Sequence, residues 1–287
     1  MTKNIIIANW KMNKSFDDVE PWLSDFKNNI KNNSNISDIV LCPPAILLDY
    51  IDELLLSEEL DILQEKGKNI DDLSEDELEK LTSGLRVLNL GGQDCAANEE
   101  GAFTGDVSAK MLKDAGCKYV IIGHSERRQY HSEDNSLINS KSLTALNQGL
   151  KPIICIGESL QLRQEGKYLD FIKEQIHHSI PKDIDIKDLI IAYEPIWSIG
   201  TGKIPSISDI AEVADFIYND ISQNKEFSRV KNIRILYGGS VNLDNSAEIL
   251  AINNIAGLLI GGASLKADIF ANIVNLSVGK NNSKTHL

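Results

Sequence analysis

Tyr119-Val120-Ile121-Ile122-Gly123-His124-Ser125-Glu126 (residues 119–126) is a short β-branched apolar run that stops on a glycine and a row of polar residues. Consecutive apolar side chains of this kind mark a strand buried on both faces, as in a parallel sheet covered by helices. Seven similar runs occur, at residues 5–8, 36–41, 86–90, 152–156, 189–192, 233–236 and 255–260. Between them lie amphipathic stretches such as 19–30, 137–146, 210–221 and 246–252, with apolar residues at helical spacing. The alternation predicts α/β architecture built from βα units. Eight units predict a single closed (β/α)8 barrel domain over residues 1–287. An open doubly wound sheet is the rival. It normally carries a glycine-rich dinucleotide fingerprint after an early strand, and none follows Ile7.

The bulk properties agree with a packed enzyme: 42% of the residues are hydrophobic and 25% charged. No apolar run approaches the roughly 20 residues that span a bilayer, and the apolar stretch at 5–8 is too short for an export signal core. A cytoplasmic protein without membrane attachment is expected. Cys42, Cys95, Cys117 and Cys155 are widely spaced and lack a paired metal-ligand pattern, so reduced, buried thiols are expected. The net charge of −13 argues against non-specific nucleic-acid binding, which needs a basic surface. Residues 57–85 hold ten acidic residues against three lysines, so −7 of that charge sits in one segment and −6 is spread over the rest. Screening within about 8 Å confines distant charge, so local donors decide whether an anion binds.

In a barrel the chemistry belongs at the C-terminal ends of the strands. Polar residues cluster there: Asn9-Trp10-Lys11-Met12-Asn13 after the first run, Gly92-Gln93-Asp94 after the third, Gly123-His124-Ser125-Glu126 after the fourth and Tyr193-Glu194-Pro195 after the sixth. The seventh and eighth runs close on Gly238-Gly239-Ser240 and Gly261-Gly262-Ala263, whose bare backbone N–H groups suit a phosphate. A small phosphorylated ligand is expected.

Seven motifs, in order, resemble the triosephosphate isomerase family: the run 9–13, Gly101-Ala102-Phe103-Thr104-Gly105, the run 123–128, Tyr193-Glu194-Pro195-Ile196-Trp197, Gly200-Thr201-Gly202-Lys203, Tyr237-Gly238-Gly239-Ser240-Val241 and Gly261-Gly262-Ala263-Ser264-Leu265. The resemblance runs from about Ile5 to Val274, with the acidic segment as its chief interruption and Asp94 where the family usually has Asn. It implies a TIM barrel that interconverts two triose phosphates through an enediolate, in glycolysis and gluconeogenesis. Glu194 is then the base, with His124, as a neutral imidazole, and Lys11 polarising the substrate oxygens. Asn9, Gly200, Ser240, Gly261 and Gly262 line the substrate, Glu126 positions Lys11 through an ion pair, and Ser125 holds Glu194 while a lid at 195–203 is open. The lid would exclude water from the enediolate phosphate. No metal and no organic cofactor is expected. Phe103 and Thr104 are expected at a homodimer interface, with Thr104 reaching the partner near Asn13 and His124.

The nearest rival chemistry, a Schiff-base aldolase, wants an activated lysine on a strand, and the eight runs contain none. A non-catalytic scaffold is a further alternative, although the acid-base residues are all present. His131, His177, His178 and His286 read as structural or solvated. The acidic segment, about 57–84, is expected as a helical insertion between helix two and strand three, on the face remote from the chemistry. Ser74 and Glu77 have capping-box spacing with Leu73 and Leu78 as a staple, predicting a short helix over 75–83. Residues 58–66 are expected to extend helix two up to Gly67, with their acids facing water.

Overall fold

The computed structural model describes residues 3–31, 38–68, 73–74, 77, 81, 85–182, 184–199 and 204–278. Eight parallel strands close into a barrel in sequence order: β1 (Ile5–Asn9), β2 (Asp38–Cys42), β3 (Leu88–Gly92), β4 (Cys117–Ile122), β5 (Lys151–Ile156), β6 (Leu189–Tyr193), β7 (Ile233–Tyr237) and β8 (Ile255–Ile260). Ile5 of β1 pairs with Gly257 of β8 and completes the ring. Alternate strand residues point to opposite faces. Ile5, Ile7, Val40, Ile121, Ile153, Ile190 and Leu236 belong to the cluster inside the barrel. Ile6, Ala8, Ile39, Leu41, Val120 and Ile191 pack outward with the helices. Both faces are largely dry, which is why runs such as 152–156 and 255–260 are apolar without alternation; the buried Arg234 of β7 is an exception, paired with Asp38 and Asp188.

The helices follow their capping signals. α1 (Phe16–Asn29) starts at Ser15, which forms a capping box with Asp18. It buries Val19, Trp22, Leu23 and Phe26 along one stripe. Trp22 stacks on Phe26 and meets Trp10 edge-on at 5.1 Å between centroids, tying the first strand end to the helix layer.

Two expectations are corrected near the acidic segment. α2 (Leu48–Glu65) does extend to Lys66, and Gly67 follows with φ of 73°. Its acids do not all face water, however: Glu59 is buried and Leu63 packs inward. Glu59 accepts Arg86 Nε at 2.6 Å, and Asp52 accepts Nη1 at 2.6 Å. Arg86 is therefore drawn onto α2, and β3 begins two residues later than its apolar run suggests. Ser74 and Glu77 make the reciprocal capping bonds: the Ser74 N–H donates to Glu77 Oε2 at 3.0 Å and the Glu77 N–H to Ser74 Oγ at 3.4 Å. Most of the helix expected over 75–83 lies outside the described residues, as do residues 36–37 of the second run and His286. The segment joins the C-terminal end of α2 to the N-terminal end of β3, the end of the barrel opposite the polar strand ends.

Lys118 and Lys151 do fall within β4 and β5, but both are exposed and lie at the N-terminal ends of their strands. All four cysteines are buried and free. No helix among the described residues is long and apolar enough to cross a membrane.

Candidate active site

A cavity of about 410 Å³ opens at the C-terminal ends of the strands, lined by Asn9, Lys11, His124, Glu126, Glu194, Ser240, Gly261 and Gly262 among others. Eight of the residues expected at the site therefore meet in one place. Gly200 lies outside the described residues, with the rest of 200–203. Phe103 is 44% exposed and Thr104 is exposed on the loop after β3, away from this wall.

Lys11 follows β1 with φ of 53°, a left-handed conformation uncommon for a side-chain-bearing residue. Its peptide is held on both sides. The backbone N–H donates to Asn9 Oδ1 at 2.9 Å, and its carbonyl accepts Gln93 Nε2 at 2.8 Å. Gln93 Nε2 also donates to the Cys42 carbonyl at 2.9 Å, linking β1, β2 and β3. In the sequence Gln93 is only a polar residue closing the third run; nothing in its spacing shows that it supports Lys11. The Lys11 ammonium reaches Glu126 at 2.6 Å.

Beyond α3 (Ala109–Asp114) and β4, His124 caps α4 (Ser125–Tyr130), and its Nδ1 accepts the Glu126 N–H at 3.2 Å. An acceptor at Nδ1 leaves the ring proton of a neutral imidazole on Nε2. That atom lies 3.0 Å from Glu194 Oε1. Glu194 directly follows β6, is 2% exposed and receives the Ser125 backbone N–H on Oε2 at 2.9 Å. The hold on Glu194 thus comes from the Ser125 peptide. Glu194 Oε1 accepts no well-aligned hydrogen bond from the described residues despite its burial. Close packing fixes its path: a Cβ at Gly157 would lie 1.7 Å from the Glu194 carbonyl oxygen.

The triosephosphate isomerase family model matches residues 4–71 and 74–277. The chain belongs to the triosephosphate isomerase family. It is 39% identical over 280 residues to the triosephosphate isomerase of Geotalea uraniireducens, covering 96% of this chain and 100% of that one. It is 40% identical over 276 residues to that of Dictyoglomus thermophilum, covering 96% and 99%. The crystal structure of triosephosphate isomerase from Bartonella henselae superposes with a TM-score of 0.75 at 35% identity, covering 96% of this chain and 98% of that one. The family match is interrupted only at residues 72–73, so the acidic segment breaks it less than the sequence suggests.

Within the site, burial raises the Glu194 pKa, but His124, the Ser125 N–H and Lys11 outweigh it and hold the carboxyl below its ordinary value. Burial also disfavours charge on His124, and the adjoining Glu194 carboxylate reverses that, so its pKa lies above the ordinary value in the substrate-free site. Ser240 Oγ donates to the Ser198 carbonyl at 2.5 Å, tying β7's end to the base of the 195–203 run. Trp197 Nε1 donates to the buried Glu158 at 2.9 Å.

Asp94 turns out to belong to a charge cluster beside the site. It faces Lys141 at 2.8 Å and Arg127 at 2.9 Å, while Glu133 takes the same two cations at 2.6 Å each. These residues line a second cavity of about 480 Å³. Their charges are mutually paired, and the carboxylate short of hydrogen bonds next to an imidazole and an ammonium lies in the first cavity, where we place the chemistry.

Proposed function

We propose that this chain interconverts dihydroxyacetone phosphate and D-glyceraldehyde 3-phosphate, a step shared by glycolysis and gluconeogenesis. The observation that carries the reading is Glu194 Oε1: a buried carboxylate oxygen without a well-aligned hydrogen bond, 3.0 Å from His124 Nε2 and on one cavity wall with Lys11. The Glu194 carboxylate takes a proton from the carbon bearing the hydroxyl. The electron pair moves onto the carbonyl oxygen, giving an enediolate; His124 Nε2–H protonates that oxygen and takes the proton of the hydroxyl oxygen in exchange, and as the new carbonyl forms there the proton held by Glu194 returns to the neighbouring carbon. Negative charge developing on the oxygens meets the Lys11 ammonium and the His124 Nε2–H in a site shielded from water.

The backbone N–H groups around Ser240, Gly261 and Gly262, joined by Gly200 of the lid, take the phosphate, and Asn9 lies beside the substrate. A side chain at Gly261 would crowd Lys11 Cε at 3.2 Å, so glycine leaves the lysine arm room to reach the ligand. Base, electrophile and phosphate cradle all come from the chain, so the reaction uses no metal or organic cofactor.

The working form is a cytoplasmic homodimer that binds neither nucleic acid nor membrane. Phe103 and Thr104 on the glycine-flanked loop 101–105 carry the subunit contact, because an exposed aromatic at a loop tip gains by burial against a second copy. Coupled assays in both directions test the reaction. Turnover should survive chelation, and absence of turnover in pure folded protein would overturn it. Sedimentation showing a fully active monomer at nanomolar concentration would overturn the dimer.

A further inference from the structure

Arg128 lies half-buried on α4, against the ends of β4 and β5. Its Nε donates to the Gly123 carbonyl at 3.0 Å and its Nη1 to Asn135 Oδ1 at 2.7 Å. Nη2 donates to the Cys155 carbonyl at 2.9 Å and to Ser179 Oγ at 3.4 Å. All four acceptors are neutral. Arg86, Arg127, Arg163 and Arg234 each hold a carboxylate. Among the described residues Arg128 makes no such pair, although guanidinium groups withdrawn from water ordinarily take one.

What it binds is specific. Gly123 turns out of β4 with φ of 68°, and a Cβ there would strike Ile138 Cδ1 at 2.6 Å. Its peptide leads directly into His124. Cys155 precedes Ile156, whose carbonyl accepts the Glu194 N–H at 2.7 Å. One guanidinium therefore joins the peptide that aims His124 to the strand that seats Glu194.

We propose that Arg128 is a positioning residue of this site. It fixes the peptide entering His124, and, lacking a carboxylate partner, it keeps a positive charge near the His124–Glu194 pair. That charge favours ionised Glu194 and opposes an imidazolium at His124. The inference rests on the catalytic reading given above. The groups facing Arg128 are the Cys155 thiol, Glu194, Glu133 and Asp134. Glu133 is already bound to Arg127 and Lys141, and Asp134 accepts the Leu137 N–H at 2.8 Å, so neither neutralises it. His124 faces Glu194, Lys11 and Glu126.

Two substitutions separate geometry from charge. Asn135→Asp keeps the guanidinium contacts and places a carboxylate on Nη1; Arg128→Lys keeps the charge and loses the planar fork. Steady-state kinetics across pH are read together with the NMR titration of the His124 imidazole, which needs no turnover. For Asn135→Asp the plateau kcat stays within about threefold, while the acid limb of kcat/KM and the His124 titration both move up by about half a pH unit or more. For Arg128→Lys the titration stays in place and kcat falls about tenfold or more, with KM within about threefold. An unmoved His124 titration in Asn135→Asp, or parental kcat in folded Arg128→Lys, would overturn the proposal. An inactive parent would strike the isomerase reading instead, and the His124 titrations would still decide the role of Arg128.

Discussion

Gly157→Ala tests how the barrel places Glu194, the proposed base. Gly157 follows β5, and a Cβ built there would lie 1.7 Å from the carbonyl oxygen and 2.6 Å from the carbonyl carbon of Glu194. Non-bonded carbon and oxygen settle at roughly 3.2 to 3.5 Å, so the two segments must part by about 1.5 Å. The atoms struck are backbone, and no rotamer change relieves them. Since a misplacement of about 1 Å costs on the order of a hundredfold in rate, kcat should drop by two orders of magnitude or more. Overpacking should cost about 1 to 3 kcal/mol of stability. Gly238→Ala is the graded comparison: its Cβ would meet the Glu194 side chain, at Cγ, at 2.9 Å, so it shifts the carboxylate without moving the chain and costs about tenfold. Coupled assays give kcat, and circular dichroism with thermal melting confirms folding. A folded Gly157→Ala enzyme with kcat within about threefold of the parent would refute the reasoning.

The two carboxylates of the charge cluster should behave oppositely. Burial raises the Asp94 pKa, so its ionisation opposes folding as pH rises from 3.8 through the raised value. Asp94→Asn removes that slope and changes stability at neutral pH by no more than about 1 kcal/mol in urea titrations. Burial also acts against Glu133, but Lys141 and Arg127 hold it below 4.5, so its contribution is present above that value and is lost as pH falls through the lowered one. Glu133→Gln should cost about 3 kcal/mol in the same titration. Replacing residues 69–84 with a short linker should leave kcat/KM within a few fold, whereas a deletion starting at residue 57 removes Glu59 from Arg86 and lowers stability by about 3 kcal/mol. In Glu194→Gln the carboxylate that raises His124 is gone while burial remains, so the imidazole should titrate below its parental value by NMR. In the parent, the raised value means that His124 adds stability at low pH that is lost as pH rises through it.

The barrel was legible because its strands are largely dry on both sides, which leaves runs such as 152–156 and 255–260 without polar interruption. Strand ends were less so. Asn9, Cys42, Gly92 and Tyr237 extend their strands past the apolar runs, and Arg86 is withdrawn from β3 by carboxylates on α2. The candidate site was visible as polar residues at strand ends, where Asn9, Lys11, His124 and Glu194 stand together. Gln93 and Arg128 were not singled out, because each acts through backbone carbonyls supplied by other strands. Such acceptors exist only once the barrel closes. The Asp94 cluster likewise joins the end of β3 to α4 and to the helix over Asn135–Asn147, and only tertiary structure reveals its pairing.

The most direct test is the turnover of Glu194→Gln, an isosteric change that keeps an amide oxygen near Ser125 N–H and His124 but cannot take a proton from carbon. Initial rates in both directions, with circular dichroism showing the parental fold, should fall by at least about three orders of magnitude in kcat. A folded Glu194→Gln protein turning over near the parental rate would contradict Glu194 as the base.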